Sequence, residues 1–353
     1  MAFFGAFFGA FFGDFDNDFS VARLECQRNK RYTFVMLKIL SSKEAFESLT
    51  RHQFQTRNYA AMYSSWLGGI VTDPNLMLLP IDDHGFHRGD AVFEAAKAVN
   101  GKIYALDRHL ERMHVSAEKV GLPMPKGLRE IAIETTKASN LKNCILRYYV
   151  SRGPGGFTTN PYESVGSQTY LVITPLTPPA PSKYENGVSA KTSAIKIKEG
   201  IFSTVKSCNY LPNVMMKKEA IDAGVDFTVS VDENGVIGEG STENFAIISK
   251  SGVFRIPSFE RTLKGITLIR MMELAKERPE LKSLLSGVEH GPIQQQDIFE
   301  AREALFFGTT LDCLACSSFD GKKIGSGKRG EVADAFQKAL LDDIEQGPLS
   351  TVI

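Results

Sequence analysis

The chain has no excess of charge of either sign: Lys plus Arg number 41, Asp plus Glu number 41, and the formal net charge at pH 7 is zero. A nucleic-acid binder carries a basic surplus, so that class is set aside. No run approaches the ~20 apolar residues needed to span a bilayer. Cysteine is scarce, with only Cys26, Cys144, Cys208, Cys313 and Cys316. An odd, scattered set excludes a disulfide framework and suits a reducing compartment such as the cytoplasm. Cys313 and Cys316 form a CxxC with no second ligand pair, so no metal is assigned. The surrounding ALFFGTTLDCLAC reads as an apolar strand with small buried thiols.

The composition is that of a globular protein, 43% hydrophobic and 23% charged, and 353 residues suffice for about two domains. The opening MAFFGAFFGAFFGDFDNDFS repeats AFFG without a basic n-region, so it is not read as a signal peptide. Disorder, or a true start further on at Met36 or Met62, is the expectation for residues 1–60; a membrane-surface tag is the alternative.

Order is expected from near Tyr63. WLGGIVTDPNLMLLPIDD reads as two short strands around a Pro-Asn turn. DAVFEAAKAVNGKIYAL is a hairpin turning at Asn100-Gly101. Asp107 is expected to cap a helix that ends at Gly121 and Pro123, with a second helix over REIAIETTKASN. CILRYYVSRG and TYLVITP follow as strands. TPLTPPAPSK, residues 174–183, carries four prolines and marks a stiff linker. Beyond it come a strand over VSAKTSAIKI, a helix with Pro212 in its first turn, a meander of strands, a helix over GITLIRMMELAKE, a strand over ALFFGTT and a C-terminal helix. The class is α+β in two domains, 63–175 and 184–346.

STVKSCNYLPNVMMKK, residues 203–218, places Lys206 just before a turn and a helix. A lysine becomes a nucleophile toward carbonyls when its pKa is lowered. Pyridoxal phosphate would demand that lysine, an acid for its ring nitrogen, a phosphate cup and a polar group at its phenolic oxygen. Lys206, Glu239, the Gly265-Ile266-Thr267 helix start with Arg112 and Gly308-Thr309-Thr310, and Tyr210 are the candidates. Each also has an ordinary reading. Lys206 could be solvated, Glu239 a turn residue and Thr267 a helix cap; Arg112 could pair with Glu111 or Asp107; Thr309 and Thr310 could be plain strand residues.

Six blocks in order settle the choice among these readings. They are DDHGFHRGDAVFEAAKAVNG, RHLERMHVSAEKVGL, VKSCNYLPNVMMKKEA, GVIGEGSTENFAI, LKGITLIRMMELA and FGTTLDCLACSSFDGKKIGSG. Together they resemble the class IV pyridoxal-phosphate aminotransferases, which include D-amino-acid and branched-chain aminotransferases and aminodeoxychorismate lyase. The resemblance implies a small α+β domain, a larger domain with a β-barrel-like core, pyridoxal 5'-phosphate between them, and a homodimer. It implies Lys206 as the Schiff-base lysine and Glu239 as partner of the ring nitrogen. Arg112, Ile266, Thr267 and Thr309 fall on phosphate-binding positions. Substrates would be an amino acid and a 2-oxo acid.

Within that family the wording from Tyr63 to Asp90 resembles the plant-type D-amino-acid transaminases. Two departures stand out: Phe93 replaces a tyrosine, and Phe157 in SRGPGGF replaces the arginine that grips the substrate carboxylate. Arg147, with Arg152, is the expected replacement, and Thr310 joins the substrate set. A branched-chain L-amino-acid aminotransferase and aminodeoxychorismate lyase are the alternatives. A non-catalytic scaffold is the reading from another class, and retention of Lys206 and Glu239 argues against it.

Overall fold

The computed structural model describes residues 20–22, 35–51 and 58–353. The chain divides into two compact units, Met1–Gln55 and Thr56–Ile353. In the first, Ser20–Ala22 pairs antiparallel with Val35–Leu37, and Ser42–Arg51 is a helix. The Ser41 amide and hydroxyl donate to the Glu44 carboxylate at 2.9 and 2.8 Å, a Ser-x-x-Glu start signal that the expectation of order only from Tyr63 passed over. The AFFG repeat lies outside the described residues, and so do the expectations of disorder, a later start or a membrane tag attached to it. Among the described residues no helix is long and apolar enough to cross a membrane.

The second unit holds two sheets. One has seven strands, all antiparallel to their neighbours, in the order Ser350–Val352, Lys102–Tyr104, Ala91–Val99, Cys144–Ser151, Gln168–Pro175, Ala61–Ser64, Gly69–Val71. Its hairpin turns at Asn100 (φ 50°) and Gly101 (φ 76°), as Asn-Gly predicts. The helices Leu106–Lys119 and Leu128–Ala138 cover one face, and Leu106, Met113, Ala132, Leu146 and Leu171 form the core between them. Sequence reading missed the last strand: the chain end returns to pair with Lys102–Tyr104.

The larger sheet has nine strands. Val188–Thr192 runs parallel to both Phe227–Val231 and Asp312–Phe319, and Val253–Ile256 runs parallel to Gly287–His290. Consecutive side chains of Glu303–Gly308 point to opposite faces. Phe307 meets Phe254 and Phe336 beneath the helices Ile266–Glu277 and Glu331–Gln346. Phe306 meets Phe227 and Phe245 on the other face at 4.6 and 5.0 Å between ring centroids. The sheet is therefore buried on both sides, which explains its near-continuous apolar strands. The CxxC thiols lie buried on Asp312–Phe319, and burial pushes Cys316 up to about 12.

Three local expectations are corrected. Asp107 does not cap its helix; Ala105, in a left-handed conformation, precedes the first turn, and Asp107 pairs with Arg129 at 3.1 Å. After Gly69–Val71 no second strand forms, because Asp73 caps a 3-10 turn over Pro74–Leu76. VSAKTSAIKI is a strand only over Val188–Thr192; the Ser193 hydroxyl accepts from the Ile195 amide and donates to Glu219, turning the chain away.

Candidate active site

Lys206 sits on a stretch anchored to the Ala91–Val99 strand. The Phe93 amide donates to the Lys206 carbonyl and the Cys208 amide to the Ala91 carbonyl, both at 2.9 Å. The Lys206 amide donates to the Ser116 hydroxyl at 3.2 Å. The backbone is thus fixed on three sides. The side-chain amine lies 4.4 Å from the Phe93 ring centroid and has no hydrogen-bond or ion-pair partner among the described residues. Burial lowers its pKa to about 8, helped by the Arg112 and Lys198 charges and opposed by Glu94 and Glu239. At pH 7 roughly a tenth of the amines are then neutral and nucleophilic.

The amine faces a cavity of about 530 Å³. Every residue assigned from the sequence lines this cavity except Arg152. Glu239 lies on the Ile237–Gly240 strand. Its carboxylate accepts from the Leu263 amide at 3.1 Å and Asn244 Nδ2 at 3.3 Å, with no cation at ion-pair distance among the described residues. Burial raises its pKa to about 7 against the pull of the Leu263 amide, Lys198, Lys206 and Arg112.

At another wall the helix Ile266–Glu277 begins at Gly265 with no side-chain cap, so Thr267 is not the cap it could have been. Its first amides have no partner from the helix itself. A Cβ at Gly265 would lie 1.7 Å from Asn244 Oδ1, so any larger residue would displace the Asn244 carboxamide from Glu239 and the Leu263 carbonyl. Thr309 and Thr310 lie in the turn between Glu303–Gly308 and Asp312–Phe319.

Arg112 lines the same wall, but Glu94 occupies its fork: Nε and Nη2 donate to Glu94 at 2.6 and 2.8 Å, and Nη1 donates to the Lys264 carbonyl at 2.8 Å. The ordinary alternative, a pairing with Glu111 or Asp107, does not form; Glu94 is the partner instead. Charge and the remaining N–H groups are what Arg112 offers the cavity. Glu94 also bonds His109 Nδ1 at 2.7 Å. Burial works to raise the Glu94 pKa, but Arg112 and His109 outweigh it and hold the carboxylate well below its usual range.

On the substrate side, Arg147, Tyr149, Cys208 and Thr310 line both this cavity and a neighbouring one of about 820 Å³. Arg147 Nη1 donates to Thr174 Oγ1 at 2.7 Å, and no acid pairs with it among the described residues. Phe93 packs edge-on to Tyr210 at 5.1 Å and stacks near Tyr149 at 6.0 Å. Arg152 is elsewhere. Its guanidinium is held by Asp90 at 2.8 and 3.0 Å and by the Val120 and Gly121 carbonyls. It therefore has no free face for a substrate.

The donors present fit pyridoxal phosphate. An amine without a partner, an acid without a cation and a helix start without a cap share one cavity. Asn213 adds a fourth observation: it is 8% exposed, and its Oδ1 has no hydrogen-bond partner among the described residues.

The family model for Amino-transferase class IV matches residues 91–319. The chain is 36% identical to the chloroplastic D-amino-acid transaminase of Arabidopsis thaliana over 88% of this chain and 83% of that protein. It is 29% identical to the branched-chain-amino-acid aminotransferase of Pseudomonas aeruginosa over 73% and 85%. The fold is shared with the branched-chain amino acid aminotransferase of Escherichia coli, with a TM-score of 0.75 at 23% identity over 82% and 98% of the chains. A further solved branched-chain enzyme of the same fold holds pyridoxamine 5'-phosphate. The chain is a class IV aminotransferase. Its fold is the α+β fold of that family, its cofactor is pyridoxal 5'-phosphate and its activity is transamination.

Sequence reading missed two polar residues of the aminotransferase, Glu94 and His109, and one aromatic, Tyr149. Glu94 was detectable as an acid inside an apolar strand, a position that demands a cation. His109 was detectable as the histidine three residues before Arg112; Tyr149 carried no signal beyond its neighbours.

Proposed function

We propose that this aminotransferase moves the amino group between an amino acid, with D-amino acids favoured, and a 2-oxo acid, using Lys206 as its reactive amine. The observation that carries the reading is the unpartnered Lys206 amine in the same cavity as the Glu239 acid that lacks a cation. Glu239 would hold the ring nitrogen, and Tyr210 the phenolic oxygen. The Ile266 and Thr267 amides, the Thr267 and Thr309 hydroxyls and Arg112 would hold the phosphate. When bound, pyridoxal phosphate supplies an aldehyde and a ring that draws electrons from the substrate α-carbon. The work of the protein is then positional and protonic. Lys206, its amine free and its pKa lowered to about 8, would take the α-proton and deliver it to the carbon that had been the cofactor's aldehyde. Arg147 binds a substrate carboxylate, and Phe93, Tyr149 and Thr310 shape the space around the α-carbon.

The preference for D-amino acids rests on the similarity to the Arabidopsis protein. Arg147 would favour the branched-chain L-amino-acid reading instead, because CILRYYV resembles a stretch in which those enzymes carry an arginine. A homodimer, a division at 174–183 into smaller and larger parts, and a reducing compartment complete the proposal. The cytoplasm is one such compartment; the four described cysteines are free, as either the cytoplasm or the compartment named for the Arabidopsis relative allows.

Visible absorbance of the cofactor-loaded protein, followed after D-alanine or L-leucine is added to separate samples, tests the reading. Loss of the absorbance of the lysine-bound cofactor with D-alanine alone is the expected outcome. Loss with L-leucine alone would transfer the assignment to the branched-chain reading, and no change with either would remove both.

A further inference from the structure

The pleat of the Ala91–Val99 strand puts Phe93, Ala95 and Lys97 on one face. Phe93 and Ala95 line the Lys206 cavity. Lys97, the next residue on that face, is 4% exposed and forms an ion pair with Asp312, whose side chain is 13% exposed. The two are 215 residues apart and belong to different sheets. Among the described residues neither has another ion-pair partner. Buried ion pairs can often be replaced by apolar residues without loss of stability, so the fold alone does not explain this one.

Asp312 opens the strand Asp312–Phe319 directly after the turn that carries Thr309 and Thr310. Gly308 pairs with Asp312, so residues 309–311 make the whole loop. Asp312 itself has φ 61°. A three-residue hairpin loop commonly ends on a left-handed residue, and glycine takes that conformation without strain. Aspartate tolerates it better than most side chains, but less well than glycine. Backbone geometry by itself therefore calls for glycine at 312. What the aspartate adds is a carboxylate, and Lys97 is its partner. The turn is fixed from its own side as well. The Leu311 amide donates to the Gly308 carbonyl at 3.3 Å, and the Leu311 carbonyl accepts from the Tyr184 hydroxyl at 3.2 Å. Lys97 ties the same turn to the opposite sheet.

We propose that Lys97 and Asp312 are positioning residues: their ion pair across the two sheets holds the turn so that Thr309 meets the cofactor phosphate. The inference rests on the reading that gives Thr309 to that phosphate. Thr309 and Thr310 line the Lys206 cavity, whereas Lys97 and Asp312 do not, so the pair acts through the turn and not by contact of its own. A fixed turn matters because a hydrogen bond weakens steeply once its distance and angle drift.

The test uses the full-length enzyme and its Lys97→Met/Asp312→Gly, Asp312→Asn and Thr309→Val variants. In the double variant glycine fits the backbone at 312 and no charge is left buried and unpaired, so it should unfold at an unchanged or higher urea concentration. Its dissociation constant for pyridoxal phosphate, read by visible absorbance, should nevertheless rise about tenfold, the usual size of one hydrogen bond to a charged group. The dissociation constant for pyridoxal, which lacks the phosphate, should hold, as should kcat at saturating cofactor. Adding Thr309→Val to the double variant should weaken binding little further, because the two changes remove one contact. Wild-type affinity for pyridoxal phosphate in a stable double variant would overturn the proposal. So would an equal loss for pyridoxal and pyridoxal phosphate, or a Thr309→Val loss that simply adds. If the double variant fails to fold, Asp312→Asn decides by the same two dissociation constants. A Thr309→Val enzyme that binds pyridoxal phosphate as tightly as the wild type would remove the phosphate reading itself, and the proposal with it.

Discussion

Glu94 and Glu239 are two carboxylates near one lysine, on different sheets. Glu94 has a guanidinium on both oxygens and a histidine beside it. Glu239 has an amide, a carboxamide and no cation at ion-pair distance among the described residues. Burial acts on both in the same direction, yet Glu94 is held well below its usual pKa while Glu239 is raised to about 7. The difference is the partner, not the depth. A paired acid is structurally complete and serves to hold Arg112 in place. An acid without a cation marks where a positively charged group is to arrive, and a pyridine ring nitrogen answers that description.

Breaking the paired site should have the largest effect on the fold. Glu94→Ala leaves Arg112 and His109 without their acid, and a loss of about 3–5 kcal/mol in urea unfolding is expected. A loss below about 1 kcal/mol would mean that water replaces the carboxylate, and the contrast with Glu239 would lose its basis.

Breaking the unpaired site should act on chemistry more than on stability. Glu239→Gln should lower turnover on the order of 10²-fold, as loss of one preorganised electrostatic contact does. Its stability effect has a sign. The folded pKa of Glu239 lies above its ordinary 4.5, so the unfolded chain releases its proton first as pH rises. Stability of the cofactor-free protein should therefore fall between pH 4.5 and about 7 and level off above it. Glu239→Gln should remove that fall, which amounts to at most ~3.4 kcal/mol over the interval; an unaltered pH profile would contradict the assignment.

Lys206 supplies a third handle. Cofactor uptake by the cofactor-free protein needs the neutral amine, so its rate should climb with pH through an apparent pKa of about 8. A midpoint near the ordinary lysine value of 10.5 would mean that burial does not act on it. The smallest effect belongs to Phe93→Tyr, which adds a hydroxyl among Tyr149, Tyr210 and Lys206. A stability change within about 1 kcal/mol and a modest fall in KM for D-amino acids are expected, and steady-state kinetics with both enantiomers would read it.

What was legible in the sequence tracks how local each signal is. Lys206, Glu239 and the Gly265–Thr267 start each sit in a short block whose spacing survives any packing. The Asn100-Gly101 hairpin was legible for the same reason. The Glu94 network was not, because its bonds join a strand to a helix 15 and 18 residues on and depend on how the two pack. Arg152 was misjudged for a related reason: Asp90, 62 residues earlier, meets it only once the strands have aligned. The Ser350–Val352 strand was invisible because its partner lies at the other end of the folded unit. Burial on both faces of the larger sheet erased the alternation that would have given its strand directions.

The most direct test of the account is to trap the bound cofactor on the protein with borohydride and locate it by peptide mass mapping. Two lysines near the cavity, Lys206 and Lys198, have lowered pKa values. The account expects the cofactor mass on the peptide carrying Lys206, and its disappearance in Lys206→Ala. Attachment to Lys198 or to any other lysine, in the wild-type protein, would contradict it.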